Sequence, residues 1–311
     1  MAGLKLSALR FLGVAKEASY GAPQTTGIRW LPMKNPDTEE EIKYEMDNGI
    51  RGIAAAEFGA YQGVENGSFK YDLDWFITDT PLLLTNILGP DTKTGTSAPY
   101  THTFQLAAAE PASLTVHDYD AIDQYQYAGS YLSQAQFKLD AEGGLSCSVQ
   151  GKGFAPVSES VSTPSFASEP YFLGWENALT IGGSSNARLV TMELTLSRAL
   201  TVRWTANNTQ QPRFIFVGPL KVEWKMTFDI EDDTEFTHLT SNDQPSVVAL
   251  LTQPSSTNTI KFQMSKTAWT KVQKISSKDW VQVDASGSGL YNATDAGPIL
   301  IAVGNAQSAA Y

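Results

Sequence analysis

Apolar and polar side chains alternate without a break over residues 221–230. Val222, Trp224, Met226, Phe228 and Ile230 interleave with Lys221, Glu223, Lys225, Thr227 and Asp229. A strand repeats every two residues, so this run puts its large side chains on one face and its charges on the other. The same pattern recurs at Phe69, Tyr71, Leu73 and Trp75, where Asp72 and Asp74 take the polar phase. It recurs again at Val190–Leu196 and at Leu145, Cys147 and Val149. Gly143-Gly144, Gly182-Gly183, Asn207-Asn208 and Ser286-Gly287-Ser288-Gly289 read as turns between such runs. The expected fold is mainly β, with tandem sandwich or barrel units that each bury one sheet face.

Two short helices are expected beside the sheets. Asp79-Thr80-Pro81 precedes Leu82-Leu83-Leu84, and Gly89 follows Leu88, which is a cap, an early proline and a stop. Asp243-Gln244-Pro245 before Val247–Leu251 carries the same cap chemistry and predicts the second. Gly63 precedes the first strand–helix–strand series and Gly218 the second. The parallel implies an internal duplication. An N-terminal arm is expected over 1–27, a first β unit over 28–155 with a long loop at 35–62, a linker over 156–174 and a second β unit over 175–311. The linker is rich in Ser, Pro and Glu.

Composition narrows the function. Lys and Arg number 22 against 33 Asp and Glu, a net charge of −11, whereas a nucleic-acid grip needs a basic face. The single cysteine, Cys147, excludes an intrachain disulfide, and no run approaches the roughly 20 apolar residues of a membrane span. The apolar run Phe11–Ala15 is too short for a signal peptide and is followed by Lys16-Glu17, so a cytosolic product with no membrane partner is expected.

Little catalytic chemistry is legible. No nucleophile elbow, zinc-protease helix or P-loop occurs. His117 beside Asp118 and Asp120 is a weak metal or base pattern, because neighbours on a strand face opposite ways. Asp229, Glu231, Asp232, Asp233 and Glu235 have the oxygen density of a calcium site without the EF-hand spacing. Asp72 and Asp74 share a strand face, as paired glycosidase carboxylates do, but so do the polar residues of any half-buried strand. Trp269 and Trp280 could stack on sugars. No enzyme, cofactor or metal is expected. The segment 35–62 contains Asp37, Glu39, Glu40, Glu41, Glu45 and Asp47, and reads either as a protruding loop or as a solvated acidic edge.

Several motifs, in order, resemble the tail tube (major tail) proteins of long-tailed, siphophage-type bacteriophages. Lys16-Glu17-Ala18-Ser19-Tyr20-Gly21-Ala22-Pro23 is similar to the family's K-E-x-x-Y-G-T segment, with Ala22 in place of the threonine. Gly63-Val64-Glu65, the Asp79 helix, Thr101–Phe104, Ser113–Val116, Val217-Gly218, Ile230–Asp233, Tyr291–Asp295 and Tyr311 continue the resemblance along nearly the whole chain.

That resemblance implies a structural virion protein, assembled in the host cytoplasm. Its rings would stack into a hollow tube that passes DNA without specific binding. Partners implied are further copies of the chain and the tape measure, tail terminator and baseplate or tip proteins. Single-unit relatives form rings of six, so a two-unit chain implies a trimer with pseudo-sixfold symmetry, with a hexamer if the duplication fails. Asp37, Glu39, Glu40, Glu41, Glu45 and Asp47 become candidates for the ring-to-ring loop. Asp72, Asp74, Glu223 and Asp229, on the polar phase of the long strands, become candidates for an acidic lumen that repels phosphates. A capsid decoration or baseplate protein, and a carbohydrate-binding module or glycosidase, are the competing readings.

Overall fold

The structure, a computed structural model, describes residues 5–275 and 281–311. It begins with strands β1 (Phe11–Lys16), β2 (Arg29–Leu31), β3 (Met33–Asp47) and β4 (Gly59–Asp74), then helix α1 (Leu82–Ile87). Next come β5 (Asp91–Thr94), β6 (Tyr100–Gln105), β7 (Leu114–Tyr119), β8 (Gln124–Asp140), β9 (Ser146–Gly153) and β10 (Val157–Glu159). The later part holds β11 (Asn177–Ile181), β12 (Ser184–Asn186), β13 (Leu189–Arg203), β14 (Phe214–Asp229) and helix α2 (Thr234–Ser241). It ends with β15 (Val247–Thr252), β16 (Thr259–Met264), β17 (Thr267–Ile275), β18 (Gln282–Gly289) and β19 (Leu300–Asn305). The fold is mainly β, as the alternation predicts. No described helix is long and apolar enough to cross a membrane.

Two antiparallel sheets face each other. The larger runs β3-β4-β9-β8-β13-β14-β18-β17, and the first half of β8 pairs with β7 and β10, with β1 and β2 continuing from β7. The smaller runs β12-β11-β15-β16-β19-β6-β5. The apolar phases of β4, β8, β9, β13 and β14 meet the second sheet in one buried cluster. There Phe137 lies 5.1 Å from Trp75 and 5.1 Å from Phe262 of β16. Burying each such side chain contributes about 1.5–3 kcal/mol, several times an exposed ion pair, so the core holds the sandwich together. Strands from before and after residue 155 enter both sheets, through β8–β13 in one and β6–β19 in the other.

The larger sheet uses one pattern twice. The order β3-β4-β9-β8 is followed by β13-β14-β18-β17, each a first, second, fourth and third strand of its series. The irregularities repeat with it. The β3–β4 pairing shifts register between Ile42 and Tyr44, and β13–β14 between Arg198 and Leu200. Gly63 and Gly218 sit at these bulges, where a Cβ would come within 2.8 Å of Lys43 O and 3.0 Å of Ala199 O. A second shift falls between Leu132 and Gln134 in β8–β9, and between Trp269 and Lys271 in β17–β18.

Several local expectations are corrected. The second helix is not at 243–251. Val247–Thr252 is strand β15, held between β11 and β16, and the helix lies earlier, at Thr234–Ser241. A five-residue apolar run suits a buried strand as well as a helix, and here its two neighbouring strands decide. Helix α1 stands where expected, but the Asp79 carboxylate binds Arg29 at 3.2 Å and makes no cap bond. Ser286–Gly289 lies inside β18 and is not a turn. The segment 35–62, expected as a protruding loop or an acidic edge, is built as the greater part of the β3–β4 hairpin. Residues 11–16 of the expected arm form β1, paired with β2 and β7 in the body. The 156–174 segment adds β10 to β8 and buries Phe172.

Candidate assembly surfaces

The face of the larger sheet turned away from the core is a field of charged and polar side chains. Asp72, Asp74, Glu223 and Asp229 all stand on it, since the residues between them in each strand face the core. The face is not uniformly acidic. Lys34 binds Asp74 at 2.8 Å, Lys221 binds Glu223 at 2.8 Å and Lys225 lies 3.6 Å from Asp284. Lys138 lies 4.0 Å from Glu193, whose carboxylate accepts a 2.6 Å hydrogen bond from Gln136. Asp229 accepts from Gln282 at 3.1 Å. Burial works against the charged form of Asp72, but hydrogen bonds from Ser148 and Asn35 and the nearby Lys70 and Lys138 hold its carboxyl below the usual range.

Asp37, Glu39, Glu40, Glu41, Glu45 and Asp47 all lie on β3, opposite Lys70, Ser68, Gly67, Asn66, Tyr61 and Gly59 of β4. Glu41 receives Lys152 at 2.7 Å and Asn66 at 2.9 Å. Burial opposes its charge, yet these two hydrogen bonds bring its carboxyl below the ordinary value. Lys43 pairs with Glu45, and Arg51 with Asp47. Among the described residues, Glu39 and Glu40 have no ion-pair partner.

Strand β9 flanks β4 only from Gly67 to Asp74, so the hairpin beyond Asn66 projects without a strand beside it. Its far end exposes Tyr44, Met46, Ile50, Ile53 and Tyr61. The turn after β13 braces its base: Trp204 Nε1 donates to Glu65 O at 3.3 Å and Gln210 Nε2 to Gly63 O at 2.7 Å.

The eight-strand run from β3 to β17 ends in two edges that are unpaired among the described residues. β3 pairs only with β4, and β17 only with β18, among the described residues. β17 carries Lys271 and Lys274, which the sequence reading did not single out. An unpaired edge is a template for another chain, and inward or edge charges are a common guard.

The other candidate chemistry dissolves into structure. His117 is fully buried, with Nδ1 2.6 Å from Glu159 and Nε2 3.0 Å from Gln24 O, so both ring nitrogens are spent. In the 229–235 cluster, Asp232 and Glu235 bind Arg188 and Asp233 binds Lys274. No group of three metal-ligating side chains occurs among the described residues. Trp269 is 6% exposed and packs 4.8 Å from Trp224, which removes it as a sugar platform. Trp280 lies outside the described residues.

A family model described as phage tail tube protein matches residues 7–294 of the chain. No curated protein matches it.

Proposed function

The chain belongs to the phage tail tube protein family, and on that premise we propose that copies of it join side by side into rings, which stack into a hollow conduit for DNA delivery. The observation that carries this reading is the internal β8–β13 joint. Thr191–Ser197 of β13 pair antiparallel with Gln134–Asp140 of β8, the last strand of one four-strand pattern and the first of the next. A chain that already joins two units edge to edge can join to another copy by the same geometry. The free edges it would use are β17, which corresponds to β8, and β3, which corresponds to β13. Repeating a head-to-tail contact closes a ring when the rotation permits. If tube rings hold six units, three copies of this chain suffice.

The polar face would then line the lumen, with the second sheet and both helices outside. Interleaved lysines and carboxylates offer no basic track on which phosphates would release counterions and stick. This supports passage of DNA without specific binding, by charge balance rather than by an acidic wall. The projecting β3–β4 hairpin is suited to reach the next ring through its exposed end. The tape measure, terminator and tip proteins would meet the ends of such a tube.

Cryo-electron microscopy of the concentrated protein tests this. Stacked rings of uniform width, each with three copies and sixfold-like density, are expected. Isolated rings that never stack would point to a capsid or baseplate role instead. Replacing 48–58 by a two-residue turn should leave rings but abolish stacking. Tubes of normal length from that variant would refute the hairpin assignment.

A further inference from the structure

We propose that β17 of one copy and β3 of the next pair in a single register, and that the register is written in charge: Lys271 and Lys274 against Glu39, Glu40 and Glu41. The inference rests on the ring reading above. The two patterns correspond strand by strand, through the shared bulges and through Gly151 and Gly287, which lie beneath the rings of Phe69 and Trp224. In that correspondence Gln134, Gln136 and Phe137 of β8 match Lys271, Gln273 and Lys274 of β17. Ser197, Thr195, Leu196 and Leu194 of β13 match Glu41, Glu39, Glu40 and Thr38 of β3.

Within the chain, Gln134 stands opposite Ser197, Gln136 opposite Thr195 and Phe137 opposite Leu194. Transferred to the free edges, the same register sets Lys271 opposite Glu41 of a second copy, with Glu39 on the diagonal. Gln273 falls opposite Glu39. Lys274 falls opposite Thr38, with Glu40 on the diagonal. Cross-strand neighbours of opposite charge attract, both when directly opposite and at the diagonal.

The contrast between the two joints strengthens the case. The joint within the chain is apolar on its core side, where Ala135 and Phe137 meet Leu196 and Leu194. At the corresponding free-edge positions stand Val272 and Lys274 on β17, and Glu40 and Thr38 on β3. Apolar edges would pair with anything, whereas like-charged β3 edges repel one another and accept only a basic strand. Among the described residues Lys271, Glu39 and Glu40 have no ion-pair partner in their own chain and are free to meet another copy, whereas Glu41 already receives Lys152 and Lys274 already binds Asp233, so these two would share their charge across the joint. Assembly should therefore weaken with salt, since exposed pairs are screened.

The test reverses each edge. Lys271→Glu/Lys274→Glu and Glu39→Lys/Glu40→Lys should each lower ring yield at least tenfold, read by sedimentation and electron microscopy. Both reversals in one chain should restore rings. Mixing the two singly reversed proteins forces copies to alternate, which closes an even ring but not a ring of three. Rings from the mixture would keep the charge code and overturn three-copy closure. For register, Glu39→Cys with Gln273→Cys should give covalent trimers on oxidation, whereas Asp37→Cys with Gln273→Cys should not. Native Cys147 is buried and leaves a low background. Reversed edges that assemble like the wild type, or cross-links favouring the displaced pair, would overturn the proposal and leave the tube reading standing. A wild type that forms no closed ring at any salt concentration would overturn both.

Discussion

Replacing Glu17 by alanine is expected to lower the unfolding free energy by about 3–5 kcal/mol. The carboxylate is 6% exposed and accepts four hydrogen bonds. Two come from backbone amides, Gly21 N and Gly129 N, each at 2.8 Å. Two come from hydroxyls, Ser113 Oγ at 2.6 Å and Thr115 Oγ1 at 2.9 Å. The hydroxyls can turn to other acceptors after the substitution, but the amides cannot. Each buried donor left unpaired costs about 1–3 kcal/mol. A chain of this length unfolds with an entropy of roughly 0.65 kcal/mol/K, so Tm should fall by about 5–8 °C. Scanning calorimetry of Glu17→Ala checks this, and a change below 1 °C would mean that water replaces the carboxylate. Ser113→Ala removes a single hydroxyl donor and should cost far less.

The same residues explain why the Lys16–Pro23 motif could be read from the sequence while its purpose could not. Lys16 Nζ reaches Tyr311 O at 2.6 Å, so the two ends of the resemblance are tied together. Tyr20 Oη accepts from Ile215 N at 2.8 Å and its ring stacks near Tyr131 and Phe214. The motif knits strands distant in sequence, and nothing in a short local pattern names partners two hundred residues away. The strands themselves were legible because alternation is local: β4, β9, β13 and β14 lie where their apolar phases place them. Helix α2 is illegible in the sequence because its residues are mostly polar, while the apolar 247–251 run has the look of a buried helix face.

Of the candidate surfaces, the acidic residues are legible in the sequence as a cluster, readable equally as a protruding loop or as an acidic edge. Only the pairing of β4 beside Asp37–Asp47 shows that they form an edge strand. The balancing lysines were illegible for a related reason. Lys70, Lys138, Lys152 and Lys225 come from four different strands, and only sheet order sets them among carboxylates. The matching of Gly63 with Gly218 is visible in sequence, yet what those glycines do, admitting a partner strand's carbonyl at a bulge, is a fact of register.

Gly287→Val is expected to strip β17 from the sheet and to abolish ring formation. Gly287 lies in β18 beneath Trp224, whose ring would be 2.6 Å from an added Cβ, and the same Cβ would overlap Ala268 O of β17. An indole at full burial cannot retreat, and a backbone carbonyl can move only by taking its strand with it. Overpacking a core costs about 1–3 kcal/mol when side chains can shift, and more when they cannot. The escape is to release β17, which among the described residues pairs with β18 alone and otherwise rests against helix α2. Hydrogen exchange should show β17 amides losing protection while those of β15, β16 and β19 keep theirs. Gly151 occupies the corresponding place beneath Phe69, against Tyr131 O. There the displaced strand would be β8, which also carries β13, so Gly151→Val should fail to fold rather than merely fail to assemble. Gly59→Ala provides the control, because its Cβ would meet only ordinary contacts near 3.6 Å from the Tyr61 hydroxyl. That change should stay within about 0.5 kcal/mol of the wild type. Normal rings from Gly287→Val would show that β17 is not the edge by which copies join.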